Sequence, residues 1–278
     1  MNAYVAYTRP RTIPVTLAMA LTGWLVAPVH AQVVADLAFL AVVHSILLWG
    51  GTNAFNSAED RDTGPVNLMP DPPPRPPHLG AFGLALMLAA IAAAALRGAT
   101  AMLLVTAAVA LSIYYSWRGG AWRRGKDVPG VDNAINALGC GLGSFALGWV
   151  TTGAALSATP IYLGLAWTVC LFGGMPTAQI FQLQPGERGT SWASLLGAAR
   201  TLRLGALLFA AHLALLAPVS HLGIPTLVWA IGVIAAIVHS AWWSRTPFVA
   251  PYRRMLRQMA LLTAAQLAWA VGAAGVSI

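Results

Sequence analysis

Charge is scarce in this chain, and acidic charge is scarcer still. Of 278 residues, 9% are charged, against about 25% in a soluble domain. Eight are Asp or Glu, and lysine occurs once, at Lys126, among sixteen basic residues. That shortage excludes a disordered chain and an ordinary soluble globule. The two cysteines, Cys140 and Cys170, lie in apolar runs and form no CxxC, so they read as packing residues. No two of the six histidines have the spacing of a zinc pair. There is no Walker loop, no GxGxxG and no GxSxG, which removes the common nucleotide-binding and hydrolase signatures. What the chain has instead is apolar surface: 58% of residues are hydrophobic and the mean hydropathy is +0.69.

Nine apolar segments are long enough to cross a hydrocarbon core of about 30 Å. They run over 13–30, 36–57, 79–96, 99–116, 132–152, 159–178, 204–219, 221–243 and 258–277. None alternates with period two, so a helical bundle is expected rather than a barrel. Fifteen of the sixteen basic residues fall on one side of this arrangement, and only Arg97 falls on the other. The positive-inside rule then places the N-terminus and those loops in the cytoplasm. The net charge of +8 is accounted for in this way, with no nucleic-acid partner. A signal peptide ending near Ala31 is the other reading of the first segment.

Seven of the eight acidic residues lie in or beside the same cytoplasmic loops, Asp36 being the exception, and none lies mid-span. Ion-coupled transport ordinarily needs an ionisable group near the midplane, so the pattern speaks against a transporter. Glu59, Asp60, Asp62 and Asp71 cluster within 13 residues. Carboxylates ~5 Å apart repel by roughly 3 kcal/mol per pair at an effective dielectric of ~20. A divalent cation, or Arg61 and Arg75, would relieve this. Asn53, Asn56 and Asp60 stand at i, i+3 and i+7, one face of a helix that leads into the cluster. Hard amide and carboxylate oxygens suit Mg²⁺, which leaves positions for phosphate oxygens. The proline-rich run 70–77 is a stiff linker or a rigid wall. A faint repeat, aromatic–amide then acid–Arg–x–Thr, links Phe55–Thr63 to Phe181–Thr190 and puts two polar mouths on one side. Gln179 and Gln182 end the sixth segment. Asp132 is a candidate N-cap for the fifth.

The motifs Asn56-Ser57-Ala58-Glu59-Asp60-Arg61-Asp62-Thr63-Gly64-Pro65, Tyr115-Ser116 followed by Lys126 and Asp132, and Gln179-Ile180-Phe181-Gln182 with Arg188-Gly189-Thr190 resemble those of the UbiA superfamily of intramembrane prenyltransferases. The resemblance covers nearly the whole chain, as a single domain over 1–278. It implies an all-α polytopic bundle around a central cavity in which a prenyl diphosphate is ionised on Mg²⁺ and an acceptor, aromatic or lipid, captures the prenyl group. By the resemblance, Asn56, Asp60, Asp62 and Glu187 would hold metal, and Asp60, Asp62 and Lys126 would carry the chemistry. Asn53, Arg61, Tyr115, Lys126, Asn136, Gln179, Gln182 and Arg188 would bind substrate. The second motif departs from the family pattern: it has one carboxylate, Glu187, and no aspartate after Gly189. That departure implies an asymmetric pair of motifs, with Arg188 taking over part of a metal's task. A terpene cyclase and a non-catalytic prenyl-lipid-binding protein are the alternatives. A multi-pass protein of a bacterial or archaeal cytoplasmic membrane is expected.

Overall fold

The structure, a computed structural model, describes residues 2–61, 66, 69, 71–119, 123–183, 191–220 and 223–274. Among these residues the chain is helical, with no named strand. The long helices are α1 (Ile13–Leu25), α2 (Val33–Asp60), α3 (Leu79–Ala95), α4 (Ala99–Ser116), α5 (Val131–Thr151), α6 (Ala158–Gln179), α7 (Ala198–Leu216), α8 (Ile224–Trp243) and α9 (Pro251–Ala274). Each expected apolar segment overlaps one of them, though not every one is long and apolar enough to cross a membrane. The helices that are long and apolar enough to cross a membrane are α2, α4, α5, α6, α7 (counted through Val219) and α8. Helix α3 is a shorter apolar helix, and α1 is 13 residues long.

The boundaries differ from the apolar segments for local reasons. Helix α1 ends at Leu25, not near residue 30, because Pro28 disfavours helix in the residue before it. Helices α7 and α9 begin at Ala198 and Pro251, ahead of their apolar stretches, and carry arginines in their first turns. A helix need not stop where the membrane does. The tight connection between α3 and α4 turns on Gly98, at φ 108°. Helix α5 is capped at Gly130, not at Asp132; the Asp132 side chain instead accepts the Gly130 N–H at 3.1 Å.

Between apolar helices in lipid, packing relies on close backbone approach rather than on the hydrophobic effect. Helices α1 and α5 cross at a pair of glycines. A Cβ on Gly148 would sit 1.9 Å from the Ala20 carbonyl oxygen, and one on Gly23 would sit 2.0 Å from that of Phe145. Gly51 and Gly83 do the same for α2 and α3. The two charges that fell outside the cytoplasmic set, Asp36 and Arg97, meet at 2.8 Å, and the Trp24 indole donates to the other Asp36 oxygen at 3.2 Å. Two segments widen into π-helical turns, Leu40–Gly50 in α2 and Gly139–Gly143 in α5. There His44 is buried; its Nε2 accepts from the Trp49 indole at 3.0 Å and lies 2.9 Å from Ser144 Oγ.

Candidate active site

A cavity of about 520 Å³ opens between α1, α2, α4, α5, α6 and α9, with α3, α7 and α8 standing outside it. Its inner wall is apolar, formed by residues such as Val15, Met19, Leu111, Trp167, Leu171 and Met175. Its polar residues gather where α2 and α6 end and α5 begins. The Asn53–Asn56–Asp60 face of α2 lines it, as the helical spacing predicts, together with Tyr115, Lys126, Asn136 and Gln179.

Asp60 is the centre of the mouth. Its side chain is 7% exposed, and both oxygens are engaged: Arg124 Nη1 donates to Oδ1 at 2.9 Å and Lys126 Nζ donates to Oδ2. Arg124 also binds Asp127 through Nε at 2.7 Å and Nη2 at 2.9 Å. The hydrogen bond from Arg124 holds the Asp127 carboxyl below its ordinary value, and the same bond holds the Arg124 guanidinium above its own. Asn56 Oδ1 accepts from Ser116 Oγ at 3.1 Å. Asn53 Nδ2 donates to the Thr8 carbonyl at 3.3 Å, which ties α2 to the N-terminal segment. Asn136 Nδ2 donates to the Asp132 carbonyl at 2.9 Å. The proline run, over residues 71–77, does not line the cavity; it is tied to the N-terminal segment, where Tyr7 and Tyr4 donate to the carbonyls of Pro73 and Pro77 at 2.8 and 2.6 Å.

The acidic cluster does not converge as expected. Glu59 Oε2 accepts the Arg118 backbone N–H at 2.8 Å, on the outside of the mouth, and Asp71 is exposed. Successive residues of a helix point about 100° apart, so Glu59 and Asp60 cannot share a ligand on one face. Among the described residues no group of three or more His, Cys, Asp or Glu could hold a metal. Arg61 is exposed, in the left-handed conformation that ends α2 at φ 56°, and is not part of the cavity wall. Asp62, Glu187 and Arg188 lie outside the described residues, as does the greater part of the second motif. Gln182 sits in a 3₁₀ turn, Ile180–Gln182, directly after α6.

Three functional candidates escaped the sequence reading. Arg9 and Arg124 read there as loop anchors. In the structure Arg9 is buried, lines the cavity and donates to Ser57 Oγ at 2.7 Å. Arg124 reaches Asp60. The third is Gln258 on α9, 2% exposed and part of the wall. Its Nε2 donates weakly to the Ala236 carbonyl at 3.4 Å, which orients the amide and leaves Oε1 buried without a partner. Gln179 Oε1 is in the same condition. The cavity thus has a mouth of cations around one carboxylate, an apolar interior and, in its wall, two glutamines whose buried amide oxygens lack donors among the described residues.

The donor chemistry at the mouth fits Mg²⁺ once Lys126, Arg124 and Ser116 release the oxygens that they hold in this structure. Asn56 and Asp60 offer one amide and one carboxylate, hard oxygens one helical turn apart, and Mg²⁺ ordinarily takes one or two carboxylates and completes its shell with phosphate oxygens and water.

No family model and no curated protein matches the sequence. Solved structures do match, over nearly its whole length. One is a structure of digeranylgeranylglyceryl phosphate synthase, 16% identical, with TM-score 0.69, covering 99% of this chain and 98% of that one. Another is a UbiA homologue from Archaeoglobus fulgidus bound to GPP and Mg²⁺, 17% identical, with TM-score 0.68, covering 99% of this chain and 100% of that one. The Archaeoglobus structure bound to DMAPP and Mg²⁺ is 18% identical, with TM-score 0.67 and the same coverage. The chain has the fold of these UbiA homologues, which agrees with the all-α bundle that the motifs imply.

Proposed function

We propose that the chain is an intramembrane prenyltransferase of the UbiA superfamily, moving a prenyl group from a prenyl diphosphate to a hydrophobic acceptor, with Mg²⁺ as cofactor and residues 1–278 acting as one domain. The observation that carries this reading is the pairing of a cationic mouth around Asp60 with an enclosed apolar cavity, in a fold whose solved relatives include one bound to GPP and Mg²⁺.

In this reading Asn56 and Asp60 hold Mg²⁺, with Asp62 and Glu187 as the further ligands that the motifs imply. Mg²⁺ held by these residues would supply Lewis-acid stabilisation of charge on the departing diphosphate. Lys126 and Arg9 face the same mouth and neutralise the remaining oxygens, a contribution that grows as the leaving group gains charge. Lys126 must exchange Asp60 for the diphosphate on binding, so the ion pair keeps its ammonium positioned beforehand. Tyr115, Asn53 and Asn136 form the polar collar below the mouth, and Arg188 and Gln182 are the further substrate-binding residues that the motifs imply. The bond between C1 of the prenyl group and the diphosphate oxygen breaks with both electrons going to oxygen. The apolar wall excludes water, which would otherwise capture the allyl cation as an alcohol. The acceptor forms the new bond at C1 and loses one proton. Gln179 and Gln258 line the cavity, and on a small side-chain shift their amide oxygens would accept from an acceptor that carries a hydroxyl or another hydrogen-bond donor.

The test is incubation of the purified protein with labelled GPP and longer prenyl diphosphates, Mg²⁺ and candidate phenolic or lipid acceptors, beside Asp60→Asn. Diphosphate release with a labelled acceptor, lost in the variant, is the expected result. A free hydrocarbon product would make the protein a cyclase, and retained lipid without turnover would make it a binding protein. The orientation belongs to the same reading: a cysteine at Asp71 is expected to react with an impermeant reagent only from the cytoplasmic side.

A further inference from the structure

We infer that a second, smaller pocket, at the start of α9, binds the phosphate headgroup of an anionic phospholipid. It has a volume of about 230 Å³ and is lined by Trp242, Ala250, Arg253, Arg254 and Arg257. It is separate from the cavity of Asp60, shares no lining residue with it, and does not depend on what that cavity catalyses.

The pocket is built rather than incidental. Arg254 Nη1 donates to the Thr246 carbonyl at 2.7 Å and to its hydroxyl at 2.9 Å, and its guanidinium lies 4.2 Å from the centre of the Trp242 ring. Trp243 Nε1 donates to the Pro247 carbonyl at 2.9 Å, which closes the same connection from beneath. Ala250, a non-glycine residue, takes φ 45° in the left-handed region, a conformation that costs on the order of 1 kcal/mol or more and persists where surroundings enforce it. That bend starts α9 at Pro251, which has no N–H, and the Arg254 N–H is taken by the Ala250 carbonyl at 3.1 Å, so the side chains rather than the backbone carry the pocket's charge. Three arginines thus border one space, an arrangement suited to a phosphate.

Charge and shape then choose among phosphates. No Asp or Glu occurs in the sequence after Glu187, so no carboxylate of this part of the chain neutralises Arg253 and Arg257, both exposed. Below the pocket, Ile231, Ile234, Val238 and Trp242 of α8 are 65%, 48%, 61% and 47% exposed. Their spacing puts them on one helix face, an apolar track that leads away from the arginines. A free phosphate has no use for that track; a phospholipid has acyl chains to lay along it. Trp242 marks the join, where an indole prefers the membrane–water interface.

The experiment is native mass spectrometry of the full chain from mixed micelles holding equal phosphatidylglycerol and phosphatidylcholine, for the wild type and for Arg253→Ala/Arg257→Ala. The wild type is expected to retain phosphatidylglycerol roughly tenfold over phosphatidylcholine, and the double variant to lose that preference. Millimolar inorganic phosphate is expected to leave the bound lipid in place. Arg254 is left unchanged because it holds the connection together. If the double variant does not fold, Arg257→Gln alone, at an exposed position, is expected to reduce the preference several-fold. Equal retention of the two lipids by the wild type, an unchanged preference in the variants, or displacement by inorganic phosphate would each overturn the inference.

Discussion

Lys126 donates to Asp60 across the mouth of the large cavity, and Arg124 donates to the other oxygen of the same carboxylate. The candidate metal ligand is therefore also the counterion of the candidate diphosphate binder. The two tasks compete for one side chain, and that competition separates the effects of changing Lys126. In Lys126→Met, Asp60 keeps Arg124 and becomes more available to Mg²⁺, while the diphosphate loses a cation. The expected result is a several-fold lower Mg²⁺ requirement together with a KM for prenyl diphosphate raised tenfold or more. Lys126 is about a third exposed, so the cost to stability is expected to stay within ~1 kcal/mol. Steady-state kinetics with Mg²⁺ and diphosphate varied independently check this. A Mg²⁺ requirement that rises along with KM would show that Lys126 supports the metal rather than competing with it.

Arg124 bridges Asp60 and Asp127, so its loss is expected to matter more than the loss of either partner's link alone. Arg124→Ala frees both carboxylates at once, whereas Asp127→Asn leaves the Asp60 bond intact. We expect Arg124→Ala to reduce kcat/KM by at least ten times as much as Asp127→Asn does. Similar losses in the two variants would mean that Arg124 acts only through the loop.

The same link fixes a pH expectation. The Asp127 carboxyl is held below its ordinary value by Arg124. Its contribution is therefore complete above the unfolded value of about 3.9 and is lost only as pH falls through the lower folded one. The Arg124 guanidinium is held above its ordinary value, so its contribution is present throughout the neutral range and is lost only in strong base. Between about pH 5 and 9 the pair is thus constant. Asp127→Asn is expected to leave the shape of the pH–rate profile unchanged there. Disappearance of an inflection within that window in the variant would count against the pairing.

Much of this site is legible in sequence because helical period converts spacing into a shared face. Asn53, Asn56 and Asp60 are one such case, and Lys126 stands out by being the single lysine. Arg9 and Arg124 are not legible, since every arginine near a span end looks like a topology anchor until its partner is known, and Ser57 and Asp60 are 48 and 64 residues away. The acidic cluster was misleading for the opposite reason. Glu59 and Asp60 are adjacent in sequence but point apart at the end of a helix. Gly148 looks like any membrane glycine until Ala20 is opposite it.

That crossing supports a stability comparison between two glycines of α5. A methyl group at Gly148 would sit 1.9 Å from the Ala20 carbonyl oxygen, a backbone atom that can move only if α1 moves. A methyl group at Gly139 would meet only the Trp49 ring, at an ordinary 3.5 Å. Gly148→Ala is expected to cost ~2 kcal/mol or more of stability by overpacking, and Gly139→Ala well under 1. Thermal unfolding in detergent measures both. Equal melting temperatures for the two variants would mean that α1 and α5 are not in close contact.

Gln258 offers the sharpest test of what the cavity holds besides a prenyl diphosphate. Its amide nitrogen donates to the Ala236 carbonyl, and among the described residues its oxygen has no donor and lies buried in the cavity wall, where a small side-chain shift on binding would present it to a ligand. Burying such an acceptor unpaired costs about 1–3 kcal/mol, and a hydroxyl on the acceptor substrate would recover it. Gln258→Leu removes the oxygen while roughly keeping the volume. The expected result is a KM for the acceptor raised five- to tenfold, the equivalent of one hydrogen bond of ~1 kcal/mol. The KM for prenyl diphosphate should not change, and thermal stability should hold or rise because an unpaired buried amide has gone. An acceptor analogue with its hydroxyl methylated should already be weak with the wild type and no weaker with the variant. If water fills the space instead, the acceptor KM will be the same in both proteins for both acceptors, and Gln258 will have no part in recognition.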